Sequence, residues 1–341
     1  MRYLIVGSGM AGVTLAEELK KAKAEASVCI VTAEAEAYYS RPLLSHGFSR
    51  ADIESKIVLK SFETLRSLGI EVLESTQALK IERAQKKLQI EHENSVQELS
   101  YDILILATGS AAFIPPPFQP IASDLHVINS LEDLKALRRL RQEIVETNQR
   151  PQWAVIGGGL IGCEVGADLA KAGDQVTLFH AQPKLMERQL EEDDSVKLEH
   201  LLVAEGIQIH LNIDVTDIEK RSSGHWCVTT KNNEDFSSFH GVLLACGFKP
   251  RIDLAAEAGL STNRGIIVND HLQTDDPAIF AIGDASEWID GKIYAYIIPV
   301  RQQALWLAAH LSQHTSTPFN MPPFKAKAKI HGFTAEHPYK V

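Results

Sequence analysis

Gly7, Gly9 and Gly12 stand at the spacing G-x-G-x-x-G, and Gly157, Gly159 and Gly162 repeat it 150 residues later. Between a strand and a helix, glycines so spaced do one kind of chemistry: they bring backbone N–H groups against a pyrophosphate. The first allows the tight turn, the second lets backbone reach the phosphates, and the third lets helix and strand pack closely. Both copies have that context. Tyr3-Leu4-Ile5-Val6 and Trp153-Ala154-Val155-Ile156 read as strands, and Val13 to Lys23 and Cys163 to Ala172 as helices. The spacing predicts dinucleotide sites at Gly7-Ser8-Gly9-Met10-Ala11-Gly12 and at Gly157-Gly158-Gly159-Leu160-Ile161-Gly162. One copy alone is weak, since such glycines can serve the turn and nothing else.

A dinucleotide fold needs an acid for the ribose hydroxyls about 20 residues past the glycines, at the end of the second strand. In the first copy the strand Val28-Cys29-Ile30-Val31-Thr32 ends at Thr32, Ala33 follows, and Glu34 lies 22 residues after Gly12. Glu36 is close by, so which acid serves is open, and two solvated loop glutamates are the alternative. In the second copy His180 stands 18 residues after Gly162, and no acid is there. His180 with Lys184 would make a weak site for a 2′-phosphate. His310 and His314 lie four apart near a helix end, at metal-ligand spacing. No third ligand is evident and a helix C-terminus favours histidine anyway, so no metal site is expected. No nucleophile or acid–base constellation is found.

The elements that must position these residues follow the same plan twice. After the second strand of the first copy comes a shaped loop, Tyr38-Tyr39-Ser40-Arg41-Pro42-Leu43-Leu44-Ser45-His46, then a helix over Ser61 to Leu68 and a strand over Ile70 to Leu73. Alternating stretches around Ala78-Leu79-Lys80-Ile81 and Lys87-Leu88-Gln89-Ile90 predict a β-meander, with Glu91 to Glu98 as its connector. Tyr101 to Ala107 is a buried strand ending in Thr108-Gly109, and Phe113-Ile114-Pro115-Pro116-Pro117 is a connector. Ser130 caps a predicted helix to Glu146, with Asp133 at its third position. In the second copy Val176 to Phe179, Asp193 to Glu205, Ile207 to Leu211, Val215 to Ile218, Trp226 to Thr229 and Gly241 to Cys246 repeat the series, ending in Gly247. The stretch Thr274 to Asp284 then reads as a turn, a short buried strand and Gly283-Asp284 at its end, and a helix runs from Val300 to Ser312.

Composition narrows the partners. The chain has 341 residues, 45% hydrophobic and 23% charged, with a net charge of −10 and a pI near 5.7. That length suits about two domains. The acidic balance disfavours nucleic acid, which needs a basic face. Cys29, Cys163, Cys227 and Cys246 form no C-x-x-C pair, so neither a redox disulfide nor a zinc ribbon is expected, and sparse cysteine suits a reducing cytoplasm. No apolar run reaches the roughly 18 residues of a membrane helix, and the opening residues run straight into a strand with no leader pattern. A cytoplasmic protein away from membranes is expected; the oligomeric state is not read.

Two G-x-G-x-x-G units with Thr108-Gly109 between them and Thr274…Ile282-Gly283-Asp284 after them form an ordered set. The set resembles the FAD- and NAD(P)H-dependent pyridine nucleotide reductases over roughly residues 1 to 320. The resemblance implies an α/β fold of two Rossmann-like FAD- and NAD(P)-binding domains, the NAD domain inserted in the FAD domain. It implies boundaries of 1–112 and 245–320 for the FAD domain and 113–244 for the NAD(P)H domain. Residues 321–341 would be the remnant of a C-terminal interface domain that is largely missing.

The string Y-S-R-P-L-L-S-H-G-F-S from Tyr39 to Ser49 is most similar to the loop of rubredoxin reductases and of the relatives that serve flavorubredoxin. Ferredoxin reductases usually have Lys where this chain has His46. The cysteine pair of disulfide reductases and the single flavin-side cysteine of peroxidases and oxidases are both absent. By the match, FAD would be held by Gly7, Ser8, Gly9, Met10, Ala11, Gly12, Thr32, Ala33, Glu34, Arg41, Pro42, Ala78, Thr108, Gly109, Glu164, Gly283, Asp284, Ile297 and Lys329. NAD(P)H would be held by Gly157 to Gly162, His180 and Gly247, with NADH favoured as a family lean.

Several roles follow from that match. Arg41 and Glu164 would lie beside the flavin, Ile297 would give a backbone contact, and Asp284, buried with no other partner, would take a ribityl hydroxyl. Lys325, Lys327 and Lys329 would share one face of a strand, Lys329 beside the flavin and the others toward an acidic rubredoxin. The implied activity is electron transfer from NAD(P)H through flavin to rubredoxin or a similar small iron protein, with no catalytic side chain. A ferredoxin or small-quinone reductase, or a non-catalytic NADH-sensing flavoprotein, are the alternatives.

Overall fold

The computed structural model describes residues 1–313, 315 and 317–340. The chain divides into two compact units, each assembled from three segments. The first comprises Met1–Ser40, Val58–Ala111 and Lys249–Phe324, and the second Arg41–Ile57, Ala112–Phe248 and Lys325–Val341. The sequence boundaries put Arg41–Ile57 with the FAD half, yet this segment packs in the second unit. The last segment joins the second unit too.

The first unit is built on a five-stranded parallel sheet. Its order is Ile279–Ala281, Ile103–Leu106, Arg2–Val6, Ser27–Val31 and Glu71–Leu73. These strands are short and apolar on both faces because both faces are covered. Tyr3, Leu4 and Ile5 are fully buried. The glycine-loop helix Met10–Ala22 packs on the helix Ile297–Leu311. A three-stranded antiparallel meander, Gln77–Glu82, Lys87–His92 and Ser95–Ser100, supplies a second layer. Its third strand begins inside the polar stretch expected to be a connector, Glu91 to Glu98, and runs two residues past it. Strand pairing overrode polarity there, because Glu93 and Asn94 adopt the positive φ of a tight turn (50° and 59°).

The second unit repeats the plan with four parallel strands, in the order Gln208–His210, Gln175–Phe179, Gln152–Ile156 and Gly241–Leu244. Its antiparallel layer is Val215–Lys220, Trp226–Thr230 and Asp235–Phe239, the last strand not foreseen. At the edge where the first unit has Ile279–Ala281, the second has a single parallel bridge, His126 to Leu243. The helix Leu131–Glu146 starts in a capping box between Ser130 and Asp133, as expected.

Three other expectations need correction. The Tyr38–His46 stretch is not an irregular loop: it is a short strand, Ala37–Tyr39, followed by a 3-10 turn, Arg41–His46. The last helix begins at Ile297 and not near Val300, because proline is tolerated in a first helical turn, where its missing N–H costs nothing. Lys325, Lys327 and Lys329 do not lie on a strand, since residues 318–330 carry no regular secondary structure. Ala328 and Ile330 are buried and Lys329 is half-buried.

Candidate functional site

In the first unit the glycines sit between the strand Arg2–Val6 and the helix Met10–Ala22. Gly7 has φ 117°, and a Cβ there would collide with the Ala107 carbonyl of the neighbouring strand. A Cβ on Gly12 would collide with the Gly7 carbonyl. Around Gly9, by contrast, a Cβ would meet nothing within 4 Å. Gly9 is the N-cap of its helix, and no side chain caps the first turn. The first-turn N–H groups therefore have no intrahelical partner and carry the positive end of the helix dipole. An open cradle with unclaimed donors is what a pyrophosphate requires, so the residues fit one.

The surroundings of this loop are fixed by polar contacts within the unit. Ser8 Oγ and Thr32 Oγ1 lie 2.8 Å apart, both buried, and the Gly7 N–H donates to the Val31 carbonyl at 2.8 Å. Glu34 is half-buried, donates its N–H to Thr32 Oγ1 at 3.1 Å and accepts from the Tyr39 hydroxyl at 3.1 Å. Glu36 is exposed. Ala33 is exposed, and Ala78 is half-buried on the first meander strand. Thr108 Oγ donates to the Arg251 carbonyl at 2.8 Å, and Gly109, at φ 67°, has open space where a Cβ would be.

Gly283 and Asp284 occupy a 3-10 turn after the edge strand. Asp284 is half-buried and accepts from Ser110 Oγ at 2.9 Å, so it is neither buried nor without a protein partner. The expectation of a lone buried carboxylate is thus corrected. Gln303, fully buried on the last helix, accepts the Gly283 N–H at 2.7 Å and holds the turn in place. Its Nε2 has no partner among the described residues. Neither Ser110 nor Gln303 was expected at the site: Ser110 directly follows Thr108-Gly109, and Gln303 lies on the last helix with no motif to mark it. Ile297 is the first residue of its helix, where its N–H is a first-turn donor.

The second unit reproduces the glycine geometry. Gly157 has φ 112° and abuts the Ala245 carbonyl, Gly162 abuts the Gly157 carbonyl, and Gly159 is open and uncapped. Gly247, at φ 107°, is open as well and accepts the Phe113 N–H at 2.9 Å. His180 is buried at the strand end, where its Nδ1 accepts the Gly158 N–H at 3.0 Å. Glu187, not foreseen, places Oε2 3.1 Å from His180 Nε2. Lys184 instead pairs with Glu192 at 2.9 Å.

Further along the glycine-loop helix Leu160–Lys171, Glu164 is buried with 4% exposure and accepts from Ser45 Oγ at 2.7 Å and from the Lys329 N–H at 2.8 Å. Lys329 Nζ donates to the Pro42 carbonyl at 3.1 Å, and burial, partly offset by Glu164, lowers its pKa. Arg41 donates to the Asn129 carbonyl. One helical turn after Glu164, Asp168 accepts the N–H groups of Phe48 and Ser49 at 2.7 and 3.1 Å. The helix thus fastens the whole Arg41–Ser49 segment with two carboxylates. Ser45 stands inside the quoted string, but nothing in its spacing marks it as the partner of Glu164.

Thiol chemistry finds no support. Cys29, Cys163 and Cys227 are buried and all four cysteines are free. Burial pushes the Cys29 thiol up to about 12, Cys246 to about 11, and Cys163 higher still, which disfavours a thiolate at these three. No group of three or more metal-ligating side chains occurs among the described residues, and His314 lies outside them. Among the described residues no helix is long and apolar enough to cross a membrane.

Comparison with known proteins agrees with this geometry. Residues 1–310 match the model of the pyridine nucleotide-disulphide oxidoreductases. A rubredoxin-NAD(+) reductase from Acinetobacter baylyi is 33% identical over 315 residues, covering 92% of this chain and 79% of that one. A nitric oxide reductase FlRd-NAD(+) reductase from Vibrio vulnificus is 31% identical over 331 residues, covering 97% and 83%. The structure of a NAD-dependent persulfide reductase from A. fulgidus superposes with a TM-score of 0.87 at 23% identity, over 97% of this chain and 62% of that one, which bears on the fold alone. The expected α/β fold class is borne out, and the chain belongs to the pyridine nucleotide-disulphide oxidoreductase family.

Proposed function

We propose that this chain is an FAD-dependent reductase that takes electrons from NADH and delivers them to a small iron protein, with rubredoxin the favoured acceptor. The observation that carries the reading is the pair of glycine cradles, alike in backbone, both open at the middle glycine, in a chain one-third identical to a rubredoxin-NAD(+) reductase. The first cradle is assigned to the FAD pyrophosphate, with Glu34 as the ribose acid and Asp284 at the ribityl chain. Glu34 is preferred over Glu36 because Tyr39 holds it in place. The second cradle, Gly157 to Gly162 with Gly247, is assigned to NADH.

Bound FAD would supply acceptance of a hydride from the nicotinamide and release of single electrons. The chain's own residues bind, orient and exclude water. Ser45 and Glu164, both buried, form one hydrogen-bonded group with the half-buried Lys329. The raised thiol pKa values and the absence of a cysteine pair favour an outward electron acceptor over a disulfide.

Stopped-flow mixing of the FAD-loaded protein with NADH should bleach the flavin absorbance, and oxidised rubredoxin should restore it. Ferredoxin and a small quinone, compared at equal concentration, rank the acceptors. FAD-loaded protein that NADH never bleaches would overturn the reading.

A further inference from the structure

The strand end after Phe179 is where a dinucleotide held by the second glycine loop presents its adenine ribose. Resting on the reading above, the structure assigns to the Glu187 carboxylate, held by His180, the recognition of the ribose 2′-hydroxyl and the exclusion of a 2′-phosphate. The expected acid is missing from the strand end, but a carboxylate is returned to it from seven residues further on.

The geometry defines the charge of this pair. The Gly158 N–H can only donate, so His180 Nδ1, 3.0 Å away, must carry a lone pair. The imidazole is therefore neutral with its proton on Nε2. That proton faces Glu187 Oε2 at 3.1 Å, so the carboxylate oxygen is the acceptor. The pair carries one negative charge, centred on Glu187. The His180 side chain is 9% exposed, whereas the Glu187 side chain keeps 25% of its surface in solvent. Its exposed part can meet a ligand hydroxyl, with Arg188 Nε 3.6 Å from its Oε1.

The carboxylate is also held in place. The Met186 N–H donates to the Gly158 carbonyl at 2.9 Å, and Met186 takes a positive φ of 49° while fully buried. Leu185 is fully buried, and its side chain together with the His180 ring fills the space a Cβ on Gly158 would need. Gly158 is thus bonded through its carbonyl to the loop that carries Glu187 and through its N–H to His180. The nearby cations do not offset it in the same way. Lys184 is turned to Glu192, and the Arg188 side chain, 83% exposed, approaches Glu187 only to 3.6 Å. A phosphate on the 2′ position would meet a fixed carboxylate, and like charges so placed repel.

The test is calorimetric titration of the FAD-loaded protein with ADP-ribose and with 2′-phospho-ADP-ribose, neither of which can reduce flavin. The wild-type chain should bind ADP-ribose at least roughly tenfold more tightly. Glu187→Gln keeps a hydrogen-bonding group and removes the charge, so the preference should shrink by roughly tenfold, and Glu187→Arg should reverse it. His180→Ala should weaken ADP-ribose binding, because it releases Glu187 while leaving its charge. Near-equal binding of the two ligands by the wild type, or an unchanged ratio in Glu187→Gln, would overturn the assignment and leave the second loop a nucleotide site. Binding of neither ligand by protein with an intact flavin spectrum would overturn the assignment and the reading of that loop together.

Discussion

The two glycine loops share a backbone and differ in what holds it. Gly7 and Gly157 turn with φ of 117° and 112°, and each donates its N–H to the last residue of the second strand at 2.8 Å. The third glycine of each sits against the carbonyl of the first. In the first loop the residue after that turn is Ser8, paired with Thr32. In the second it is Gly158, packed under His180 and bonded to it. The lesson is that the glycines give the two loops one backbone, while the strand end beside each gives them different neighbours. The edges differ as well. A full strand in the first unit leads into Gly283-Asp284, where the second unit has one bridge at His126.

The largest expected effect tests a support that one unit has and the other lacks. Asp174, with its side chain wholly buried, takes two bonds from Arg141 at 2.8 Å and one from Trp153 Nε1 at 3.0 Å. The matching position ahead of the strand Ser27–Val31 is Ala26. Removing one partner of a buried ion pair costs about 3–5 kcal/mol. Asp174→Ala should lose that much in urea unfolding followed by tryptophan fluorescence, while Ala26→Ser should cost far less.

A second prediction separates the two loops by ligand. Gly9→Ala and Gly159→Ala place a methyl group in open space, so each should change stability by no more than ~1 kcal/mol. Gly9→Ala should nevertheless purify without FAD, whereas Gly159→Ala should keep FAD and lose NADH binding. FAD lost from Gly159→Ala alone would exchange the two assignments.

Smaller effects concern polar groups of the second unit. Glu164→Gln weakens two hydrogen bonds made to a buried carboxylate, for an expected loss of about 1–2 kcal/mol in urea unfolding. The smallest is a pH effect. Burial, partly offset by Asp133, holds the His126 pKa below its ordinary 6.5. Below pH 6.5 the unfolded chain takes up a proton that the folded chain resists, so stability falls as pH falls through that window and is fully present above it. His126→Gln should flatten the dependence. An unchanged slope in urea midpoints between pH 5 and 7 would assign the acid sensitivity elsewhere, with His240, whose pKa burial also lowers, as the next residue to replace.

Much of the fold was legible because it depends on local pattern. Apolar runs of four or five residues, the glycines after them and the Ser130 capping box are all visible within short windows, and each stands in the structure within a few residues of its expected place. The missed strands, Ser95–Ser100 and Asp235–Phe239, are polar edge strands whose only reason to form is the neighbour they pair with. The grouping of Arg41–Ser49 with the second unit was equally hidden. It depends on Glu164 and Asp168 reaching across about 120 residues of sequence to Ser45, Phe48 and Ser49.

By itself the sequence determined that the chain carries two dinucleotide-type loops, in order, and that no cysteine pair accompanies them. Glycine spacing and cysteine count are properties of composition along the chain, and no folding is needed to read them. Only the tertiary structure decided which groups stand at the ends of those loops: Glu34 held by Tyr39, Asp284 by Ser110, and Glu187 brought back to His180. Hydrogen bonds between side chains depend on distances across the fold, and residues with no shared period or motif meet only once the sheets and helices have placed them.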